Sequence, residues 1–172
     1  MNTQQKIFGV TRLALGLIFL WAFIDKVVGL GFTTCRDVKT EVVTVWCDKA
    51  WLMGGSPTTG FLKFGTDGIF SDTFQLLAGS SVVDWLFMAG LLGIGLSLTL
   101  GVVVRFASVA GVVLFSLMYL AVVPPEHHPF IDEHVIYALI FLSFLTMPVG
   151  DWFGFGKQWA RLSFVKRSFW LQ

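Results

Sequence analysis

The sequence predicts an all-α integral membrane protein: a bundle of four transmembrane helices with an outer interfacial segment and a C-terminal amphipathic tail. Three observations predict it. Of 172 residues, 55% are hydrophobic and 13% charged, whereas a soluble domain carries about 25% charged residues. Phe and Trp alone supply 25 residues, which leaves too little polar surface to wrap a water-soluble core. Four apolar stretches are also long enough to cross roughly 30 Å of hydrocarbon at about 1.5 Å per residue. The whole chain, 1–172, reads as a single membrane domain. Its net charge of +1 makes no case for nucleic acid.

The first span is predicted over 7–30. Lys6 and the apolar run from Leu13 to Ile24 look like a secretion signal, but Asp25-Lys26 stands where a small-residue cleavage site belongs. The segment is therefore expected to stay as an anchor. The second span is predicted over 82–104 and the third over 106–123, a tight hairpin turning at Arg105. Pro124-Pro125 ends the third, because neither residue donates a backbone hydrogen bond. The fourth is predicted over 134–150, closed by Pro148 and Gly150. Gly90, Gly93, Gly95 and Gly101 in the second span suit close helix approach.

Lys and Arg set the orientation. Lys6, Arg12, Arg105, Lys157, Arg161, Lys166 and Arg167 fall on one side. Five bases fall on the other, and the 124–133 turn has none. Both termini are therefore expected in the cytoplasm. Ten of the eleven acids lie on the outer side and only Asp151 inside, leaving a net −5 outside and +6 inside.

Residues 31–81 form an outer segment too long for a bare loop. Ser56-Pro57 reads as a helix start. Ser71 or Asp72 can cap a second short helix ending at Gly79. The segment is expected on the outer interface or over the bundle mouth, as a lid or as a structural cap. In the 151–172 tail, Trp152, Phe155, Trp159 and Leu162 recur at helical spacing among Lys157, Arg161, Lys166 and Arg167. That pattern predicts an interfacial helix on the anionic inner leaflet, with docking of a cytoplasmic partner as the alternative.

Charges inside spans are functional candidates by default. Arg12 lies one turn into the first span and is expected to snorkel to lipid phosphate. Asp25 and Lys26 sit in the outer leaflet and point apart, so each needs its own partner. All three histidines, His127, His128 and His134, fall in one turn with Asp132. Asp84 opens the second span on the same side. Histidine beside carboxylate suits proton transfer at neutral pH. Asp25, Asp132 and His134 are thus candidate catalytic residues. Lys26, His127, His128 and Asp84 are candidate substrate-binding residues. The structural alternative is that Asp132 only caps the fourth helix and the rest is a solvated turn. No tight zinc spacing is present, so no metal is expected. Cys35 and Cys47 lie outside, where disulfides persist. A structural disulfide and a redox-active pair are both compatible with them, although the CxxC spacing is absent.

Arg12-Leu13-Ala14-Leu15-Gly16-Leu17-Ile18-Phe19-Leu20-Trp21 with Asp25-Lys26 resembles the first span of the DoxX/DoxD family. Gly54-Gly55-Ser56-Pro57-Thr58-Thr59-Gly60-Phe61-Leu62 resembles its next segment. Pro124-Pro125-Glu126, then Pro129-Phe130-Ile131-Asp132-Glu133-His134 and Tyr137-Ala138-Leu139, resemble its turn into the fourth span. The resemblance covers nearly the whole chain. It implies a small four-helix protein of a prokaryotic plasma membrane. It further implies a thiosulfate:quinone oxidoreductase subunit, oxidising thiosulfate or a related sulfur anion at the outer face with quinone as electron acceptor. No bound cofactor is otherwise recognisable. His127-His128 departs from the Asn-Asn expected of relatives, and the Cys35–Cys47 stretch looks like an insertion. A second, DoxA-like portion is missing, which implies a separate redox partner. The competing expectation is a non-catalytic scaffold or anchor for redox partners.

Overall fold

The computed structural model describes residues 1–37 and 39–171. Among the described residues the chain is all-helical, with three helices long and apolar enough to cross a membrane. These are α1 (Thr3–Val28), α4 (Ser81–Leu100) and α5 (Val104–Val122). Two short helices, α2 (Thr59–Phe64) and α3 (Ser71–Gln75), lie between α1 and α4. A fourth apolar helix, α6 (Glu133–Thr146), has 14 residues, which span only about 21 Å. Two single-turn helices, α7 (Gly156–Trp159) and α8 (Ser163–Lys166), follow, and a 3-10 turn at Phe169–Leu171 comes after them.

α1 packs against α4 and α5 against α6, each pair antiparallel. Leu20 of α1 meets Gly95 of α4, while Gly16 meets Thr99. A Cβ at Gly16 would lie 2.6 Å from Thr99 Oγ1, so only glycine lets the two backbones approach this closely. Gly111 of α5 lies under the Phe141 ring of α6 in the same way. Between the pairs, Phe19, Phe115 and Phe141 meet with ring centroids 5.8–5.9 Å apart. Leu15, Met88, Leu91, Ile94, Leu98 and Phe144 continue this core. In lipid such packing stabilises by dispersion and shape, since lipid tails are as apolar as the side chains.

Several boundaries differ from the sequence expectation. The hairpin turns at 101–103 and not at Arg105, which sits in the first turn of α5. Gly101 adopts φ +75°, which ends α4 in the left-handed conformation. α6 stops at Thr146, because Pro148 disfavours a helical Met147. α2 begins at Thr59, with Ser56 Oγ accepting from Thr59 N at 3.2 Å. Neither Ser71 nor Asp72 caps α3; both lie inside its first turn, and Phe70 holds the cap position without a side-chain bond. The tail is not one amphipathic helix. It breaks at Phe153 (φ +56°) and again at Leu162, whose ψ of 136° is extended. Gly90 and Gly93 meet no neighbour within 4 Å of a built Cβ, so of the second-span glycines only Gly95 and Gly101 mediate close contact among the described residues.

Arg12 corrects the snorkelling expectation most plainly. It is fully buried. Its guanidinium donates to Leu98 O, to Thr99 O at 3.3 Å, to Val149 O at 3.1 Å and to Trp152 O at 2.8 Å. Leu98 and Thr99 carry two of the carbonyls that every helix C-terminus leaves unpaired. The other two are also met. Ser97 O accepts from Gly101 N and Val102 N, and Leu100 O from Phe155 N. Arg12 is thus a C-terminal cap for α4, supplied from another helix and favoured by the negative end of the α4 dipole.

Candidate functional site

The opposite end of the helices holds the predicted site residues, but in three separate groups. Asp25 is buried in the last turn of α1. Its carboxylate accepts from Leu30 N, Phe32 N, Thr33 N, Thr33 Oγ1 and Thr34 N at 2.8–3.1 Å. Five donors use its lone pairs to fold the chain back over the helix end. Lys26 Nζ donates to the same Thr33 Oγ1 at 3.1 Å and lies 6.0 Å from the centre of the Phe87 ring. The Thr33 hydroxyl therefore bridges the two charges that point apart along the helix.

Asp84, in the first turn of α4, forms the second group. Its Oδ1 accepts from Thr58 Oγ1 at 2.6 Å, Ser56 Oγ at 2.9 Å and Thr58 N at 3.2 Å. The glycine-rich stretch 54–59 is thereby tied to the start of α4. Asp25, Lys26 and Asp84 are each engaged with their own loop.

The third group lines an open cleft of about 510 Å³. His127, His128, Asp132 and His134 line it, as do Gly65, Asp67, Glu126 and Glu133. Asp25, Lys26 and Asp84 do not. One wall is the 65–69 segment, held on the end of α5 by Ile69 N donating to Val123 O at 2.9 Å. Pro124 and Pro125 leave that helix end without donors of its own, so a distant segment supplies one. The facing wall is the 126–131 turn, where Tyr119 Oη donates to Phe130 O at 2.8 Å. His128 Nδ1 accepts from Phe130 N at 3.2 Å and from Ile131 N at 3.0 Å. Those two donors place the proton of neutral His128 on Nε2.

Asp132 is the N-cap of α6, its Oδ1 accepting from Val135 N at 3.2 Å. Its Oδ2 lies 2.6 Å from His134 Nδ1. Burial works to raise the Asp132 carboxyl, but the hydrogen bonds from His134 and Val135 outweigh it and hold the group below its ordinary value. With Nδ1–H committed to the carboxylate, His134 Nε2 is the ring's acceptor. A carboxylate that orients an imidazole and stabilises its protonated form is the arrangement general acid–base chemistry requires. Capping and proton handling are compatible here, because one carboxylate oxygen serves each.

Asp67 is the cleft residue that sequence reasoning missed. It lies in the 31–81 segment, 59 residues before the facing wall begins at Glu126, and no motif marks it. Among the described residues, no three His, Cys, Asp or Glu side chains are grouped to hold a metal ion. Cys35 and Cys47 form a disulfide that closes the 36–46 loop, away from the cleft. No protein-family model, curated protein or solved structure matches this chain.

Proposed function

We propose that this chain is a DoxX/DoxD-like subunit of a prokaryotic plasma membrane, serving quinone-linked oxidation of thiosulfate or a related sulfur anion. In this reading it crosses the bilayer four times, with both termini in the cytoplasm. The motifs from Arg12 to Lys26, 54–62 and 124–139 support the family reading. The seven bases gathered with one acid at the Arg12 end support the orientation. The fourth crossing comprises α6 and the 147–151 turn, whose Gly150 reaches the level of Gly101 at the end of α4. The 31–81 segment lies on the outer interface. The tail lies on the inner one, where Arg105 stacks 4.0 Å from the Phe169 ring.

The observation that carries the functional reading is the 2.6 Å contact of His134 with Asp132 at the cleft. Joining two thiosulfates through a new S–S bond releases two electrons. A quinone that takes them up also takes up two protons. The chain's own residues supply the proton-handling part: His134 exchanges protons at Nε2 while Asp132 holds the ring and its charge. The electrons arrive through a separate redox partner. The test is thiosulfate-dependent quinone reduction by the purified chain, alone and with partner subunits, comparing wild type with His134→Ala. A loss on the order of 10²-fold is expected with fold retained. Equal turnover per folded molecule would remove the catalytic reading.

A scaffold reading is favoured by one observation: Asp25 and Asp84 are each engaged by their own loops. It predicts that His134→Ala leaves turnover intact while loss of the outer segment releases the partner.

A further inference from the structure

Asp84 engages its loop through one oxygen only. Oδ1 takes all three hydrogen bonds, from Ser56 Oγ, Thr58 N and Thr58 Oγ1. Oδ2 accepts none among the described residues. The residue is nevertheless only 6% exposed. Buried polar atoms are almost always bonded, and a carboxylate oxygen without a donor is costly. Oδ2 is therefore left for a donor that the loop does not supply.

The space beside it has a defined chemistry. Asp84 lines a pocket of about 240 Å³, with Trp51, Trp85, Gly54 and Gly79 among its other walls. The pocket shares no residue with the histidine cleft. Trp51, in the Trp51–Met53 turn, meets Trp85 of α4 with ring centroids 4.6 Å apart and planes at 72°, so the two indoles form a corner. Gly54 and Gly79 hold φ of +88° and +83°, which makes two walls bare backbone in a conformation other residues disfavour. No Lys, Arg or His lines the pocket among the described residues.

Charge decides the occupant. The start of α4 contributes roughly half a positive charge, which offsets the Asp84 carboxylate only in part. The indole faces are also attractive to cations. An anion is thus repelled. A hard metal ion wants about six oxygen ligands, and the aromatic corner offers none. An alkylammonium group suits both features, since it brings N–H donors for Oδ2 and a charge and methylenes for the rings.

We propose that this pocket binds a primary alkylammonium group, its N–H donating to Asp84 Oδ2 and its methylenes lying against Trp51 and Trp85. This goes beyond the quinone-linked reading and does not depend on it. A free amine and an aminophospholipid headgroup both carry the group, and the experiment separates them.

Ethanolamine is titrated into the full chain carrying 5-fluorotryptophan, in dodecyl maltoside without lipid. The Trp51 and Trp85 signals are followed by fluorine NMR and assigned with Trp51→Phe and Trp85→Leu. Saturable shifts of both are expected. Choline, whose nitrogen has no N–H, should bind about fivefold more weakly, and uncharged ethylene glycol should have no effect. Asp84→Asn keeps an acceptor oxygen for Ser56 and Thr58 but turns an amide donor into the pocket. It should weaken ethanolamine binding at least about tenfold. Trp85→Leu alters a side chain that is 64% exposed, which spares the core, and should weaken binding about threefold. In phosphatidylglycerol vesicles, ethanolamine binding that falls on adding phosphatidylethanolamine, but not phosphatidylcholine, assigns the headgroup. Binding unchanged by either lipid assigns a free amine. No saturable shift in wild type, ethylene glycol binding as well as ethanolamine, or wild-type affinity in either Asp84→Asn or Trp85→Leu overturns the inference. Should Asp84→Asn not fold, the ethylene glycol comparison and Trp85→Leu still decide.

Discussion

The Arg12 guanidinium donates to the Trp152 carbonyl at 2.8 Å, across 140 residues of chain. It joins the start of the first helix to the start of the tail and also serves Leu98 and Thr99. No carboxylate pairs with it among the described residues. Arg12→Met is expected to destabilise the protein by about 3 kcal/mol, since buried carbonyls are left without donors. Arg12→Lys should recover only part of this, because one ammonium cannot fork to several carbonyls. Thermal unfolding in detergent measures both, and an unchanged midpoint for the Met variant would contradict the capping role.

Asp25 is expected to behave as a structural residue. Asn at this position replaces one acceptor oxygen with a donor amide, which faces backbone N–H groups that already donate. Asp25→Asn should therefore cost about 2 kcal/mol and leave activity per folded molecule unchanged. Thr33→Val should cost less, as it removes one hydroxyl bridge to Asp25 and Lys26. Loss of specific activity at an unchanged melting temperature would return Asp25 to the chemistry.

The Asp132 carboxyl is held below its ordinary value in the folded protein. Its contribution to stability is therefore full above the ordinary carboxylate range and is lost as pH falls through the folded value. Stability of α6 should decline on acidification below the ordinary carboxylate range. Asp132→Asn should flatten that decline, because Asn caps a helix about as well but does not titrate. Amide hydrogen exchange at Val135 and Ile136, followed from neutral to acid pH in both proteins, checks this. Parallel profiles would show that another group governs the helix start.

The disulfide reports on topology. Cys35 and Cys47 are expected outside, so intact cells should expose them to an impermeant thiol reagent only after reduction. Labelling that needs lysis would invert the orientation. Replacing both by Ser is expected to cost roughly 3 kcal/mol by the chain-entropy account of a loop this short, read from detergent unfolding with and without reductant.

The sequence by itself determined the apolar helices and their order, because composition and span length express solvent preference locally. α1, α4 and α5 lie close to their predicted spans, and Asp132 caps α6 through a bond three residues away. The pairing of His134 with Asp132 was likewise foreshadowed by their closeness in one turn. What only the tertiary structure decided was the partner of each charged side chain. The sequence places Asp25, Lys26, Asp84 and the histidines at one end of the helices. It does not reveal that Thr33, Ser56 and Thr58 engage the first three and leave the cleft to the last group. Nor does it show that Arg12 turns inward to cap α4. The physical reason is common to these cases. Buried polar groups must find partners, and the partners available are backbone groups and hydroxyls whose positions depend on how distant helices end.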